Sequence, residues 1–378
     1  MHIVGLNHGE INSSAALVGD GRLLSACAEE RFNRQKRTRV FPERSLAFCL
    51  QGANLELANC DAVAQAWNPG AAWEKYNPTI SSQRVKREDY FYSVPDNLFS
   101  FSERTPPTCV KMEMVPEGSL PPLYFVQHHR CHSANAFYLS DFDEAALLTC
   151  DWRGEFESTT FARGTGKKIE FFQSQSIPHS LGMFYGTFTE LLGYRPDSDE
   201  WKVMALAAFN VDCEEMLQKI RSTFRLGEDG TLELDQSYYK GAIIDQQKNF
   251  TAKLVQLLGG RVGIAGEEPD EWHLKIARAM QLVSEEIGFH FLNHLWELTK
   301  CPNLAVSGGF FMNSVLNGKI ISNSPFEKLY VSYCPGDLGN SIGAALYIAH
   351  SVLDEERTSS FNHNSYIGPE FSDHEILE

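Results

Sequence analysis

Apolar positions along this chain fall in short runs separated by glycine and polar clusters, and the order of those runs repeats. Near the start, "HIVGLN" predicts a strand, "EINSS" a polar turn, "AALV" a strand, "GDG" a hairpin and "RLLSACAEE" a third strand. Further on, "AALLTCD", "WRGEFE", "STTFARG", "GTG" and "KKIEFFQSQ" give the same sequence of strand, turn, strand, hairpin and strand. One supersecondary unit thus occurs twice.

After the first unit the pattern predicts a helix ("PERSLAFCLQGA"), a strand ("DAVAQAW"), a polar and aromatic stretch from about Asn68 to Pro122, a strand ("LYFVQ") and a helix rich in histidine. After the second it predicts helices "SLGMFYGTFTELLG" and "EWKVMALAAF". A long helix follows from about Asp270 to Lys300, its apolar residues recurring at helical spacing. The finish is strand "NLAVSGG", helix "FFMNSVLNGKI", strand "KLYVSYCP" and helix "GNSIGAALYIAHSVL". These elements divide into lobe I over 1–143, with an insertion at about 68–122, lobe II over 144–350, and a tail over 351–378. In two like α/β lobes, ligands sit where strand ends face each other.

Composition narrows the chemistry. The 378 residues include 49 acidic and 33 basic ones, a formal net charge of -16. That deficit of cations disfavours nucleic acid and anionic membrane as partners and favours a small-molecule substrate. Nine scattered cysteines, without a Cys-x-x-Cys pair, read as reduced core residues of a cytoplasmic protein. The N-terminus lacks a basic segment followed by an apolar core, and no run of about 18 apolar residues occurs.

The chemistry-bearing residues gather at predicted strand ends. In "VQHHRCHSANAFYLS", His128 and His132 are four apart and share a helix face, while His129 and Cys131 point elsewhere. Asp151 ends the run "AALLTC", and Asp337 follows the strand "KLYVSY" in "CPGDLGN". Each acid alone reads equally well as a turn or helix cap. Together with the histidines they form a candidate His/His/Asp/Asp site, whose mixed nitrogen and oxygen donors suit iron, manganese, zinc or magnesium. Gly308 and Gly309 lie between a strand and a helix, where a phosphate or ribose could approach the backbone; the bland reading is a tight turn. Asn313 and Asn317 share one face of the following predicted helix and could bond a sugar or base. Arg31, Arg34, Lys36, Arg37 and Arg39 make either a solvated basic edge or an anion site.

The segments "EERFNRQK", "VQHHRCHSANAF", "EWKVMALAA", "SGGFFMNSVLNGK" and "PGDLGNSIGAAL" resemble, in order, signatures of the O-carbamoyltransferases of nodulation-factor, cephamycin and tobramycin biosynthesis. The resemblance implies an N-terminal domain with the duplicated RNase H-like (actin and hexokinase type, ASKHA) fold, similar to the transferase that places threonylcarbamoyl on tRNA adenosine. It also implies a C-terminal YrdC-type domain that makes carbamoyladenylate from carbamoyl phosphate and ATP. Carried over by position, it places metal ligands on His128, His132, Asp151 and Asp337, an active-site lysine on Lys36, and the adenylate beside Gly308, Gly309, Asn313 and Gly336. The expected activity is carbamoyl transfer to a small-molecule alcohol, with His8 or metal-bound solvent as the base.

Three departures from the family pattern stand out. "DWRGE" has Trp152 where the family commonly has glycine, and Ile11 and Asn12 occupy places that often hold a His-Asp pair, with His8 three residues earlier. "YIGPEFSDHEILE" resembles the opening of the linker into the YrdC-like domain, so that half is expected in trans or missing. Two rivals remain: a sugar or acid kinase of the same fold, which has no use for a His-x-x-x-His pair, and a noncatalytic nucleotide- or metal-binding subunit.

Overall fold

A computed structural model of the chain describes residues 1–9, 12–68, 109–112, 120–240, 248–357 and 365–377. The first hairpin pattern folds as β1 (His2–Asn7), β2 (Ser14–Gly19) and β3 (Arg22–Ala28). After α1 (Glu30–Asn33) and α2 (Glu43–Gly52), strands β4 (Ala62–Gln65), β5 (Cys109–Met112) and β6 (Leu123–Val126) complete a sheet of order β3-β2-β1-β4-β6-β5. The second pattern folds as β7 (Glu144–Cys150), β8 (Glu157–Thr165) and β9 (Lys168–Ser176). With β12 (Asn303–Ser307) and β13 (Lys328–Val331) they form a sheet of order β13-β12-β7-β8-β9, while β10 (Phe224–Leu226) and β11 (Leu232–Leu234) pair as a separate ribbon.

Read from the hairpin edge, each sheet runs third strand, second, first, then two parallel strands. The architecture is therefore the duplicated, two-lobe RNase H-like α/β fold. β5 is an addition: it extends the first sheet antiparallel to β6 from inside the 68–122 stretch, where the sequence pattern predicts no strand.

Both faces of each sheet are covered, which is why the strands read as nearly continuous apolar runs. Val4, Leu6, Leu17 and Val63 face outward onto Leu46 and Cys49 of α2. Ile3, Ala16, Val18 and Ala64 face inward onto α3 (His128–Leu139) and onto the last core helix. In the second sheet Ala145, Leu147 and Ala305 face that same inner layer. Its other face, with Ala146, Leu148 and Val306, packs under α4 (Leu181–Leu191), α5 (Glu200–Leu206), α6 (Glu214–Arg221), α7 (Ala252–Leu257) and the 29-residue α8 (Glu271–Thr299).

The segment expected as one helix, "FFMNSVLNGKI", is instead a 3₁₀ turn (Gly309–Met312), α9 (Ser314–Asn317) and α10 (Ile320–Asn323). Asn313 causes the break by leaving helical geometry (φ -71°, ψ 88°) and accepting the Leu316 N–H as an N-cap. The final helix begins as α11 (Asn340–Leu346), widens into a π turn over Tyr347–Val352, and is followed by the exposed α12 (Asp373–Leu377).

The inner helices are exchanged between the sheets. α3 follows the first sheet's last strand but packs on β7, β8 and β12; α11 follows the second sheet's last strand but packs on β1 and β2. Two glycines make the seam tight: a Cβ on Gly5 would stand 1.8 Å from the Ser341 carbonyl oxygen, and one on Gly343 would stand 1.9 Å from that of Cys131. The eight cysteines whose side chains are described are all unpaired. Among the described residues no helix is long and apolar enough to cross a membrane.

Candidate metal centre and adjoining cavity

The site is assembled where the seam meets the strand ends. His128 opens α3 and His132 lies one turn on, Asp151 follows the last residue of β7, and Asp337 starts the 3₁₀ turn before α11. Their donor atoms all lie within 4.8 Å of one another. His128 Nε2 is 3.0 Å from Asp151 Oδ2 and 3.4 Å from Asp337 Oδ1; His132 Nε2 is 2.9 Å and 3.5 Å from the same atoms. An ion with metal–ligand bonds of about 2.1 Å sets neighbouring ligands roughly 3.0–3.5 Å apart. The spacing therefore fits a single ion.

Each ligand is held from behind. Asp151 Oδ1 accepts the Trp152 N–H (2.8 Å) and the Gly309 N–H (3.2 Å), which leaves Oδ2 facing the imidazoles. A Cβ on Gly309 would stand 2.8 Å from that Oδ1, and one on Gly308, at φ 104°, would stand 2.2 Å from the Cys150 carbonyl oxygen. The two glycines thus let the β12 turn close over Asp151. Ser307 Oγ donates to the Pro335 carbonyl (2.9 Å) and so accepts from His132 Nδ1–H (3.2 Å), which aims the His132 Nε2 lone pair at the cluster. Ser14 Oγ donates to the Leu338 carbonyl (2.8 Å) and so ties β2 to the turn that carries Asp337.

Glu155 is nearly fully buried and accepts the His128 N–H (3.1 Å to each oxygen) and the Asn68 N–H (2.7 Å) at the positive end of α3. Burial pushes its carboxyl up to about 7, partly offset by nearby His128 and these N–H donors. Burial acts to lower the His128 pKa, but Asp337 and Asp151 outweigh it and raise the imidazole well above its ordinary range. Burial likewise acts to raise Asp151, and the hydrogen bonds from His128 and His132 hold it well below the usual carboxylate range. The cluster strongly favours a positive charge at its centre.

His129 takes no part. Its Nε2–H donates to the Glu157 carbonyl (3.1 Å) and its Nδ1 pairs with Thr149 Oγ1 (2.7 Å), and burial drives its pKa well below the ordinary histidine value. It pins α3 to β7 and β8.

Asp151 and Asp337 form one end of a cavity of about 390 Å³. Trp152, Tyr185, Trp201 and Tyr333 give it aromatic surfaces, Gly309, Asn313 and Gly336 lie on its wall, and Asp197 and Glu200 add acid against Arg153, the single cation of the lining among the described residues. The Trp152 indole reaches α4 at Gly186, where a Cβ would stand 3.1 Å from its Cζ3. Gly186 thus leaves room for the indole.

Gly308, His8 and Lys36 lie outside the cavity wall. Gly308 supports Asp151 from behind. His8 sits after β1 with its ring edge-on to Phe41 at 5.3 Å, and Lys36 is exposed and paired with Glu30 at 3.0 Å. Arg37 reaches Asp197 (3.5 Å) and Arg31 approaches Glu30 (3.9 Å), so Arg31, Lys36 and Arg37 of the basic cluster lie against acids. Asn313 is committed within the protein: besides capping α9 it donates to Gln281 Oε1 (2.9 Å). Asn317 donates to the Phe311 carbonyl (2.7 Å). Ile11 lies outside the described residues, as do most of the 68–122 insertion and residues 358–364; the segment resembling a linker, from Tyr366, is described and ends in α12.

Sequence reasoning missed Asn340, Ser307, Glu155, and the buried chain Tyr185–Gln281–Glu285 behind the cavity. Gln281 and Glu285 carried a usable signal, since they stand four apart on the otherwise largely apolar buried face of α8.

A family model described as Carbamoyltransferase N-terminus matches residues 2–346. Protein sll1178 of Synechocystis sp. is 31% identical, with 99% of this chain and 62% of that protein aligned. Nodulation protein NolNO of Sinorhizobium fredii is 26% identical, over 97% of this chain and 50% of that protein. The chain therefore spans between half and two thirds of the length of these curated relatives. Among solved structures, component A of the (R)-2-hydroxyglutaryl-CoA dehydratase of Acidaminococcus fermentans gives a TM-score of 0.47 at 11% identity, covering 92% of this chain and 97% of that one.

Proposed function

The chain belongs to the carbamoyltransferase N-terminus family, and on that premise we propose that it transfers a carbamoyl group from carbamoyladenylate to a hydroxyl of a small molecule. The observation that carries the reading is the convergence of His128, His132, Asp151 and Asp337 at the end of an aromatic-walled cavity. A divalent ion held by these four would supply Lewis acidity toward the donor's carbonyl or phosphate oxygens.

Charge supports the same assignment. Among the described residues the cavity lining carries Asp151, Asp197, Glu200 and Asp337 against Arg153, with Arg37 paired to Asp197 from outside, so a cation at the acidic end would favour entry of an anionic adenylate. Trp152 and Tyr185 offer flat surfaces for the base. In the transfer, the alcohol oxygen attacks the carbamoyl carbon, the bond from that carbon to the phosphate oxygen breaks, and AMP leaves with the electron pair. The alcohol's proton goes to a base, for which the sequence offers His8 or metal-bound solvent; His8 lies outside the cavity wall, against Phe41. The reading assigns formation of the adenylate, from ATP and carbamoyl phosphate, to a YrdC-type domain or chain.

The test supplies ATP, carbamoyl phosphate, a divalent ion and a separately purified YrdC-type domain to the chain, with a panel of alcohols, and follows carbamate ester by mass spectrometry. Product is expected with the wild type and should vanish on replacing both His128 and Asp337 by alanine. Equal product from that double variant would overturn the assignment.

A further inference from the structure

Two imidazoles can both offer Nε2 to one ion only if each carries its proton on Nδ1. For His132 the Ser307 hydroxyl enforces this, because its own hydrogen is spent on the Pro335 carbonyl. His128 has a different partner. Its Nδ1 lies 3.3 Å from the amide nitrogen of Asn340, a fully buried residue at the start of α11.

As oriented, that amide nitrogen also lies 3.3 Å from His132 Nε2, while the Asn340 Oδ1 is buried without any hydrogen-bond partner. This arrangement is poor on both counts. An N–H aimed at His128 Nδ1 would fix the proton on Nε2, the atom that faces Asp151 and Asp337. An N–H aimed at His132 Nε2 would compete for the lone pair an ion needs. Turning the carboxamide over exchanges its oxygen and nitrogen, takes the N–H away from both imidazoles and gives the orphaned oxygen a donor, His128 Nδ1–H.

Resting on the metal-centre reading above, we propose that Asn340 is the positioning residue of that centre: with its oxygen toward His128, the carboxamide holds this ring with Nδ1 protonated and Nε2 free for the ion. It does for His128 what Ser307 does for His132. The two ring-setting groups come from opposite ends of the final crossover, Ser307 from β12 and Asn340 from α11.

Titration of the wild type, Asn340→Leu and Asn340→Asp with Zn²⁺ or Mn²⁺ tests this. Asn340→Leu is expected to weaken ion binding about 10- to 100-fold, and Asn340→Asp to recover it, since a carboxylate accepts the same Nδ1–H. Nitrogen NMR of histidine-labelled, zinc-loaded wild type reads the ring directly and should find His128 protonated on Nδ1 and coordinated through Nε2. If Asn340→Leu binds as tightly as the wild type, or His128 coordinates through Nδ1, the assignment is overturned while the metal centre stands. A wild type that binds no ion overturns both. Melting curves accompany each variant, and should Asn340→Leu fail to fold, the wild-type spectrum decides.

Discussion

His128 Nε2 and His132 Nε2 lie 3.0 Å apart, both rings buried, at the end of the cavity. Two lone pairs at that distance repel unless a cation lies between them or a proton occupies one ring. Ion binding should therefore be felt as stability. At a free ion concentration 100 times the Kd, the native state gains about 2.7 kcal/mol. A chelator should lower the melting temperature of the wild type, added ion should restore it, and His132→Ala should show neither response in differential scanning fluorimetry. A wild type whose melting ignores both additions would contradict the site.

Gly309 separates support of the ligand from support of the fold. Its added Cβ meets only the Asp151 carboxylate, whereas one on Gly308 meets the Cys150 backbone at positive φ. Gly309→Ala should keep its melting temperature within a few degrees of the apo wild type yet bind the ion at least tenfold more weakly. Gly308→Ala should lose about 1 kcal/mol or more of stability. The reverse ranking in paired titration and denaturation experiments would refute this reading of the turn.

Trp152 forms part of the cavity wall where the family pattern has glycine. If a base lies against it, Trp152→Gly should weaken AMP binding by about 1–3 kcal/mol, the range for a base stacked on an aromatic side chain. Calorimetry showing unchanged affinity would place the base elsewhere in the cavity.

The N-terminus of α8 has a pH signature. Asp270 accepts from Arg261 (2.5 Å) and caps the helix through the His273 N–H (3.3 Å). The Arg261 hydrogen bond, then the contact with the His273 ring (Nδ1 at 2.7 Å), holds its carboxyl well below the ordinary range. A depressed folded pKa contributes stability that is present above pH ~4 and fades as pH falls below it. Asp270→Ala should cost about 1 kcal/mol near neutrality, and urea titrations near pH 3 should show that gap narrowing. A gap that stays constant with pH would mean that the carboxylate's charge is not involved.

The repeated hairpins were legible in sequence because each strand carries its own apolar run and each turn its glycine. The four convergent donors were legible for a related reason: His128 and His132 sit at helical spacing, and Asp151 and Asp337 directly follow apolar strands. Asn340, Ser307 and Glu155 were not, because a lone polar residue gains meaning only from a partner far along the chain, such as the 212 positions between Asn340 and His128. The single helix expected over "FFMNSVLNGKI" failed because an internal Asn can cap as readily as it can decorate a face. The sequence order of helices gave no hint that α3 and α11 would trade sheets.

That trade makes the molecule a clasp. A cut near residue 143 would divide the strands cleanly, yet leave each half with a bridging helix whose main partners belong to the other half. The imidazoles ride on the helix seated against the second sheet, and Asp337 rides on the turn that Ser14 fastens to the first. An ion gripping all of them would be a rivet through both plates, and any motion parting the two sheets would have to loosen it.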